Sequence, residues 1–252
     1  MGIFSGIFKG RSTSPVPPTQ SDFSYSKTDV HSHLIPGIDD GVKTLEESIE
    51  MLTGLVSLGF TKAITTPHIM SDCYRNTPEI IMNGLEKVKN GILEAGLPIM
   101  VEAAAEYYLD HGFIEKLSSK KPLLTFGGKH VLFEVSYINP PDSINETVFE
   151  LRMQGYQPVL AHPERYPYWY GDFGMFEKLR EQGVMFQLNS NSLCGYYGPP
   201  AKKCAEKMIE LGMIDFMGSD MHGIRHLEAL KRTVHEKYYW KLAERGLLNG
   251  TL

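Results

Sequence analysis

Cysteine is scarce in this chain, which has only Cys73, Cys194 and Cys204 among its 252 residues. Their number is odd and they share no close-spaced motif, which argues against a disulfide framework. Free thiols are typical of a reducing compartment. The sequence therefore predicts a cytoplasmic protein.

Long apolar runs, a strong positive charge and glycine-rich phosphate loops are also missing. No stretch approaches the roughly 20 apolar residues of a membrane span, so no transmembrane segment is expected. The formal net charge of -5 argues against a broadly basic surface for nucleic acid. No loop of the Walker or dinucleotide-binding type occurs. Hydrophobic residues make up 42% of the chain, which is enough for the core of one large domain.

Residues 1–26 are predicted to lie outside the folded domain as a flexible leader. The segment 1–9 is apolar but too short for a secretory signal, and Gly6 stands where a myristoylation motif requires serine or threonine. Residues 11–26 are rich in Ser, Thr and Pro and cannot bury enough apolar surface to fold alone. The alternative is a short anchor for a partner or a membrane surface. The domain is then expected over residues 27–252.

Short apolar runs alternate with segments of helical periodicity along the rest of the chain. The predicted strands are 28–31, 62–66, 99–105, 130–135, 158–161, 184–188 and 214–217. The predicted helices are 45–58, 78–95, 142–153, 173–181, 200–211 and 225–245. Thr44 begins a capping box, Thr77-Pro78 is typical of a helix start, and Gly96 is typical of a helix end.

This alternation predicts an α/β fold with parallel strands and right-handed crossovers. Candidate ligands follow nearly every strand, which favours a barrel over an open sheet, because an open sheet concentrates its site at one switch point. The expected architecture is therefore a TIM-like barrel of seven βα units.

Histidines and acids cluster directly after these strands. His31 and His33 project to the same side of an extended chain, and Asp220 and His222 form a second alternating pair. The other candidates at strand ends or just beyond them are Asp40, His68, Glu106, Glu134 and His162. Each alone could be a loop cap or a salt-bridge partner. Together, imidazoles and carboxylates at one barrel mouth predict a site for zinc, manganese or iron.

The segments DVHSHLIPGIDDG, TTPH, AHPERY and SDMH resemble the PHP (polymerase and histidinol phosphatase) superfamily. The resemblance covers roughly residues 27–250 and is greatest to the bacterial capsular and exopolysaccharide branch of metal-dependent protein-tyrosine phosphatases. It implies a distorted (β/α)7 barrel that holds three divalent metal ions, commonly manganese, with iron or zinc as alternatives.

The resemblance also implies roles for individual residues. The ligands of the first metal would be His31, His33, Glu106 and Asp220. The second metal would be bound by Glu106, as a bridge, with Glu134 and His162. The ligands of the third would be Asp40, His68 and His222. Arg165 matches the phosphate-binding arginine of the family.

Such a site suits hydrolysis of a phosphomonoester. Paired metals can lower the pKa of a bridging water and present hydroxide for in-line attack on phosphorus, while the planar fork of Arg165 suits phosphate. Asp220 or His222 could protonate the leaving group. A cysteine-based mechanism requires Cys-x5-Arg, and no cysteine here has arginine at that position. Tyr166 and Trp169 could form an aromatic wall for a phosphotyrosine ring or pack the loop that carries them, and Asn189 could contact substrate or support a metal ligand.

Three functions remain open at this stage. The first is a protein-tyrosine phosphatase whose partner is the phosphotyrosine tail of a bacterial tyrosine kinase of polysaccharide export. The second is a small-molecule phosphatase, for example a histidinol phosphatase. The third is an inactive metal-binding scaffold, against which the intact ligand set and Arg165 argue.

Overall fold

The computed structural model describes residues 22–252, which form a mixed α/β fold with parallel strands. The strands are β1 (Thr28–Asp29), β2 (Lys62–Thr65), β3 (His68–Ile69), β4 (Met100–Ala103), β5 (Glu106–Tyr108), β6 (His130–Glu134), β7 (Gln157–Ala161), β8 (Met185–Asn189) and β9 (Phe216–Gly218). The helices are α1 (Leu45–Ser57), α2 (Pro78–Ala95), α3 (His111–Ser118), α4 (Ile144–Met153), α5 (Phe173–Glu181), α6 (Ser190–Leu193), α7 (Pro199–Leu211), α8 (Ile224–Thr233) and α9 (Lys237–Arg245).

The strands form two parallel sheets. One sheet has the order β1-β2-β4 and the other has the order β3-β5-β6-β7-β8-β9. The register pairs His68 with Glu106 and Tyr108 with Glu134. Because all strands run in the same direction, the residues that follow them collect at one edge of the two sheets.

The strand predicted over 99–105 is present as β4 but ends at Ala103, and a separate strand, β5, begins at Glu106. The hydrogen-bond ladder nevertheless continues, because Ala104 N–H donates to Thr65 O and Glu106 N–H donates to Pro67 O. Pro67 has no N–H to donate in return. The hydrogen bond that Pro67 cannot make interrupts both neighbouring chains at this point. It divides one into β2 and β3 and the other into β4 and β5.

The chain after β1 lies beside the chain after β9. Ser32 and Met221 form a parallel bridge, His33 N–H donates to Met221 O, and Asp220 N–H donates to His31 O. This contact brings the first histidine pair next to the last ligand pair, although almost 190 residues separate them in the chain.

The predicted boundaries of α1 and α2 are confirmed by their caps. Thr44 Oγ1 accepts from Glu47 N–H, Thr77 Oγ1 accepts from Ile80 N–H, and Gly96 adopts the left-handed conformation with φ of 62°. Such caps satisfy backbone groups that a helix end leaves without partners.

The single long helix predicted over 225–245 is wrong, because the chain bends at 234–236 between α8 and α9. One straight helix of that length would extend about 30 Å and could not keep both apolar faces on the core. The bend lets Leu230 of α8 and Tyr239 of α9 both be buried. Helix α3 has no counterpart in the predicted set; Asp110 caps it, and Phe113 and Leu117 anchor it in the core.

Residues 22–26, which the sequence analysis placed in the leader, pack on the domain. The ring of Phe23 is fully buried, 4.9 Å from the centroid of Phe60 and 4.8 Å from that of Tyr239. The rest of the predicted leader, and with it the anchor hypothesis, lies outside the described residues. Within 22–252, no helix has both the length and the apolar character to cross a bilayer.

Candidate metal centre

The residues beyond the strand ends line one cavity of about 430 Å³. Nine His, Asp and Glu side chains, all but His31 and His33 in the lining of this cavity, form four overlapping groups, and within each group the potential ligand atoms lie within 4.8 Å of one another. These are the nine predicted ligands: His31, His33, Asp40, His68, Glu106, Glu134, His162, Asp220 and His222. The tertiary structure therefore brings the whole predicted set together.

The His31 and His33 rings turn the same type of nitrogen toward each other. Their Nε2 atoms are 3.2 Å apart, and His31 Nε2 lies 3.2 Å from Glu106 Oε2 and 3.3 Å from Asp220 Oδ1. His33 Nε2 lies 3.5 Å and 3.4 Å from the same two carboxylate oxygens. Two imidazole nitrogens and two carboxylates that face one point are a typical donor set for a cation.

The Nδ1 atoms of these two rings lie against hydrogen-bond acceptors that the sequence motifs did not identify. His31 Nδ1 lies 2.7 Å from Gln187 Oε1, and His33 Nδ1 lies 2.8 Å from Asp39 Oδ2. The Gln187 amide donates to Leu188 O, so its oxygen faces the ring. Acceptors at Nδ1 place the proton there and leave the Nε2 lone pair free for a metal.

Glu106 is central to the second group. Its Oε1 lies 3.0 Å from His162 Nε2, and its Oε2 lies 3.1 Å from His68 Nδ1. Glu134 Oε1 is 3.3 Å from the same His68 nitrogen. That nitrogen is buried, yet it makes no hydrogen bond with any residue of 22–252 in spite of these close oxygens. A cation between them would give each atom the partner it lacks.

The third group lies nearer to the opening of the cavity. Asp40 Oδ1 is 3.5 Å from His68 Nε2 and 3.4 Å from His222 Nε2, and the His33 and His222 rings stack at 4.0 Å. Asp40 is the most exposed carboxylate of the nine residues, with half of its side chain accessible.

The electrostatics of the protein alone also fit a divalent cation. Burial by itself would lower the pKa of His31, but the carboxylates of Glu106 and Asp220 outweigh it and raise that pKa to about 9. Buried carboxylates that attract protons onto imidazoles will equally attract metal ions. The donor chemistry, the distances and the unpaired His68 nitrogen all fit bound metal.

Two of the predicted ligands have a strained backbone. His162 has φ of 34° and Asp220 has φ of 51°, in the left-handed region that residues with a side chain rarely adopt. Their N–H groups donate to Gln187 O and His31 O, both at 2.7 Å, which holds the strained conformation in place. Strain of this kind is concentrated at functional sites.

Arg165 also reaches the cavity. Its Nη1 donates to Asp220 Oδ2 at 2.6 Å, and its guanidinium lies 4.0 Å from the ring centre of Tyr197 and 5.1 Å from that of Tyr137. Asn189 Nδ2 donates to the same Asp220 oxygen at 3.0 Å. A cation held between two aromatic faces is restricted in orientation.

The predicted aromatic wall of Tyr166 and Trp169 is not at the cavity. Tyr166 is fully buried, and its hydroxyl donates to Ala161 O and accepts from Val135 N–H. Trp169 is 5% exposed. Two short 3-10 turns, which begin at Pro163 and Pro167, fold this segment back onto the strands.

Asn189 is not at the cavity surface either. Its side chain is fully buried, donates to Asp220 and to the Tyr197 hydroxyl, and accepts from Asn191 N–H. These hydrogen bonds occupy both polar atoms of the Asn189 side chain, which lies behind Asp220. Asn189 therefore supports a predicted ligand and is not available for a substrate contact.

The aromatic side chains that do line the cavity are Tyr74, Tyr108 and Tyr137. Tyr108 and Tyr137 follow the strand-end acids Glu106 and Glu134 by two and three residues. Proximity to those acids was the signal in the sequence that could have identified them.

The fold and the donor set define a metal-binding α/β protein whose centre lies beyond the carboxyl ends of parallel strands. The chain belongs to the family of capsular polysaccharide synthesis, CpsB/CapC, whose model matches residues 27–245. This match confirms the family that the sequence motifs indicate.

Two relatives have similar sequences. The chain is 29% identical over 198 residues to the tyrosine-protein phosphatase YwqE of Bacillus subtilis (strain 168), with 78% of each chain covered. It is 29% identical over 228 residues to the putative tyrosine-protein phosphatase CapC of Staphylococcus aureus, with 89% of each covered.

A solved structure has a similar fold. It comes from the crystal structures of YwqE from Bacillus subtilis and CpsB from Streptococcus pneumoniae, described as unique metal-dependent tyrosine phosphatases. The TM-score is 0.77 at 26% identity, with 86% of this chain and 90% of that chain covered. The two chains therefore share their architecture over most of their length.

Proposed function

We infer that this protein is a metal-dependent tyrosine phosphatase of capsular or exopolysaccharide synthesis. The observation that carries this conclusion is the clustering of nine candidate metal ligands, seven of which line one cavity together with Arg165, in a chain whose relatives are named tyrosine phosphatases. The complete ligand set disfavours an inactive scaffold, and the relatives disfavour the histidinol phosphatase alternative.

We propose that the cavity binds three divalent ions, with manganese as the first candidate and iron or zinc as alternatives. His31, His33 and Asp220 would hold one ion, and Glu106 would bridge it to a second. Glu134 and His162 would complete that second site, and the third would be held by Asp40, His68 and His222. The geometry of Glu106 supports its bridging role, because its Oε2 lies 3.2 Å from His31 Nε2 and its Oε1 lies 3.0 Å from His162 Nε2.

Bound divalent ions would lower the pKa of a coordinated water and offset the charge of a phosphate group. Arg165 would bind a phosphate oxygen through the part of its fork that Asp220 does not use. Tyr197 and Tyr137 restrict where that fork can point. Asp39 and Gln187 keep the rings of His33 and His31 in the correct tautomer.

The leaving phenolate needs little help from an acid, because tyrosine has a pKa of about 10. Asp220 is poorly suited to donate that proton. Burial would raise its pKa, but His31, His222 and Arg165 hold the pKa well below its usual range. His222 is the other predicted donor, but its Nε2 faces Asp40 in the proposed third site and its Nδ1 lies 2.9 Å from Asp220 O. We therefore assign this role to neither residue.

We propose that the substrate is the phosphotyrosine tail of a bacterial tyrosine kinase. The predicted ligands Glu106 and His162 are almost wholly buried, whereas Tyr137 is 37% exposed at the mouth of the cavity. A phosphotyrosine side chain is long enough to pass the tyrosine-lined opening, and a phosphoserine side chain is shorter. An extended tail could enter without any unfolding of the kinase.

The fold supports two further proposals. If β2 with β3 and β4 with β5 each count as one strand, the chain has seven strand positions, as expected of a distorted (β/α)7 barrel. We propose that the contact between Ser32 and Met221 closes that barrel. We also propose a cytoplasmic phosphatase domain over 27–252, with 22–26 packed against it.

The test is phosphatase activity with defined metals. Chelator is expected to abolish hydrolysis of a phosphotyrosine peptide, and manganese or a similar ion to restore it, while alkylation of thiols leaves most activity. The kcat/KM for phosphotyrosine peptides should clearly exceed that for matched phosphoserine peptides and for histidinol phosphate. Strong inactivation by alkylation, or a preference for histidinol phosphate, would contradict the proposal.

A pair of variants tests which aromatic side chains determine this preference. Tyr137→Leu removes a ring at the opening, so we expect it to narrow the ratio of kcat/KM between phosphotyrosine and phosphoserine peptides. Trp169→Ala removes a buried ring, so we expect it to lower the free energy of unfolding by about 3–5 kcal/mol and to leave that ratio unchanged. If Trp169→Ala narrows the ratio and Tyr137→Leu does not, Trp169 belongs to the substrate site after all.

A further inference from the structure

A second cleft lies next to the metal cavity. It has a volume of about 290 Å³ and is lined by Met70, Ser71, Arg75, Asp110 and Lys116, among others. Met70 also lines the metal cavity, so the two spaces are adjacent. None of the proposed metal ligands lines the second cleft.

A tight hairpin over residues 70–75 separates the two spaces. Met70 and Tyr74 exchange backbone hydrogen bonds of 2.9 and 3.0 Å. Tyr74 lines the metal cavity, whereas Ser71 and Arg75 line the second cleft. A peptide whose phosphotyrosine enters the cavity can therefore cross the hairpin and place a neighbouring side chain in the cleft.

The hairpin is fixed to the start of α3. Asp110 accepts from Ser71 N–H at 2.7 Å through one oxygen and from Phe113 N–H at 2.9 Å through the other. Gly112 packs closely against Ser71, since a Cβ atom on Gly112 would lie 2.1 Å from Ser71 Oγ. The Asp110 carboxylate thus ties the hairpin to the first turn of α3.

Two cations in the cleft form no ion pair with a carboxylate of residues 22–252, although Lys116 lies close enough to Glu79 to help lower the pKa of that carboxyl group. Arg75 Nε donates to Ser71 O at 2.7 Å, which orients the guanidinium while its terminal nitrogens find no acceptor among residues 22–252. Lys116 makes no ion pair with any carboxylate of that same region. Asp110 is the only carboxylate in the described lining, and both its oxygens already accept hydrogen bonds.

We propose that this cleft binds an acidic side chain of the substrate polypeptide, close in sequence to the phosphotyrosine. The proposal rests on the proposed function, because the metal cavity must take the phosphotyrosine. An arginine fork with free terminal N–H groups fits a carboxylate, and Lys116 adds a second positive charge. The cleft thus selects among tyrosine-phosphorylated segments, a task that the metal centre does not perform.

The experiment compares two phosphotyrosine peptides of otherwise identical sequence. One has Asp or Glu next to the phosphotyrosine, and the other has Asn or Gln at the same positions. Wild type is expected to favour the acidic peptide about three- to tenfold in kcat/KM at low salt, and less at high salt. The double variant Arg75→Gln with Lys116→Gln should lose this preference. The control Lys87→Gln with Lys89→Gln, on the exposed face of α2, should keep it.

Hydrolysis of p-nitrophenyl phosphate should be the same in all three proteins, because this substrate has no flanking residues. Reversal of both charges, with Arg75→Glu and Lys116→Glu, should transfer the preference to a lysine-flanked peptide. If wild type does not prefer the acidic peptide, or if the Gln double variant keeps the preference, the cleft assignment is wrong and the proposed function is unaffected. Wild type loaded with metal but inactive on every phosphotyrosine substrate would instead overturn the proposed function.

Discussion

Replacement of Glu106 by Gln is expected to reduce phosphatase activity roughly 100-fold or more, because even changes beside a metal ligand cost about 10–100-fold. The shape of the side chain is retained, but its negative charge is lost. One Glu106 oxygen faces His162 and the other faces His31 and His68. In either orientation of the glutamine amide, an NH2 group, which cannot bind a cation, replaces one of these two oxygens. We expect the metal content from elemental analysis to fall as well.

The matched control is Glu102→Gln, an identical change on β4, the strand that precedes β5 in the chain. Glu102 is half exposed and pairs with Lys62 on the surface, so this variant should keep both activity and metal. The midpoint of thermal unfolding of metal-free protein separates misfolding from loss of a ligand. Full turnover by folded Glu106→Gln would show that the bridging assignment is wrong.

Replacement of Arg165 by Lys is expected to lower kcat/KM for a phosphotyrosine peptide by roughly 100-fold, while metal content stays at the wild-type value. Lysine keeps the positive charge but not the planar fork, and it loses much of the contact with Tyr197. Without the fork, Asp220 and phosphate would compete for one ammonium group.

Arg152→Lys makes the same chemical change at an exposed position on α4 and should have no effect on activity. Elemental analysis is the decisive measurement for Arg165. Loss of metal in Arg165→Lys would mean that Arg165 supports the ligand Asp220 and does not act on phosphate.

The clustering of the candidate metal ligands was predictable because it depends on position along a strand. His31, Glu134 and His162 are each part of an apolar run or follow directly on one, and parallel strands bring such positions to one edge whatever the loops do. Helix ends were predictable for a similar reason. The capping residues Thr44 and Gly96 interact with backbone groups only a few positions away, so the local sequence is sufficient to predict where the helix begins or ends.

The sequence alone thus determined the α/β rhythm, the nine candidate ligands that the structure brings together, and the family. Only the tertiary structure decided which loop side chains face the cavity, so that Tyr137 lines it while Tyr166 is buried. It also decided which side chains hold the ligands, because Gln187 reaches His31 across 156 positions of the chain. Phe23 is buried for the same reason, since its partners Phe60 and Tyr239 are remote in sequence. Periodicity and capping arise between near neighbours, whereas the direction of a loop depends on packing between distant segments, which no local pattern encodes.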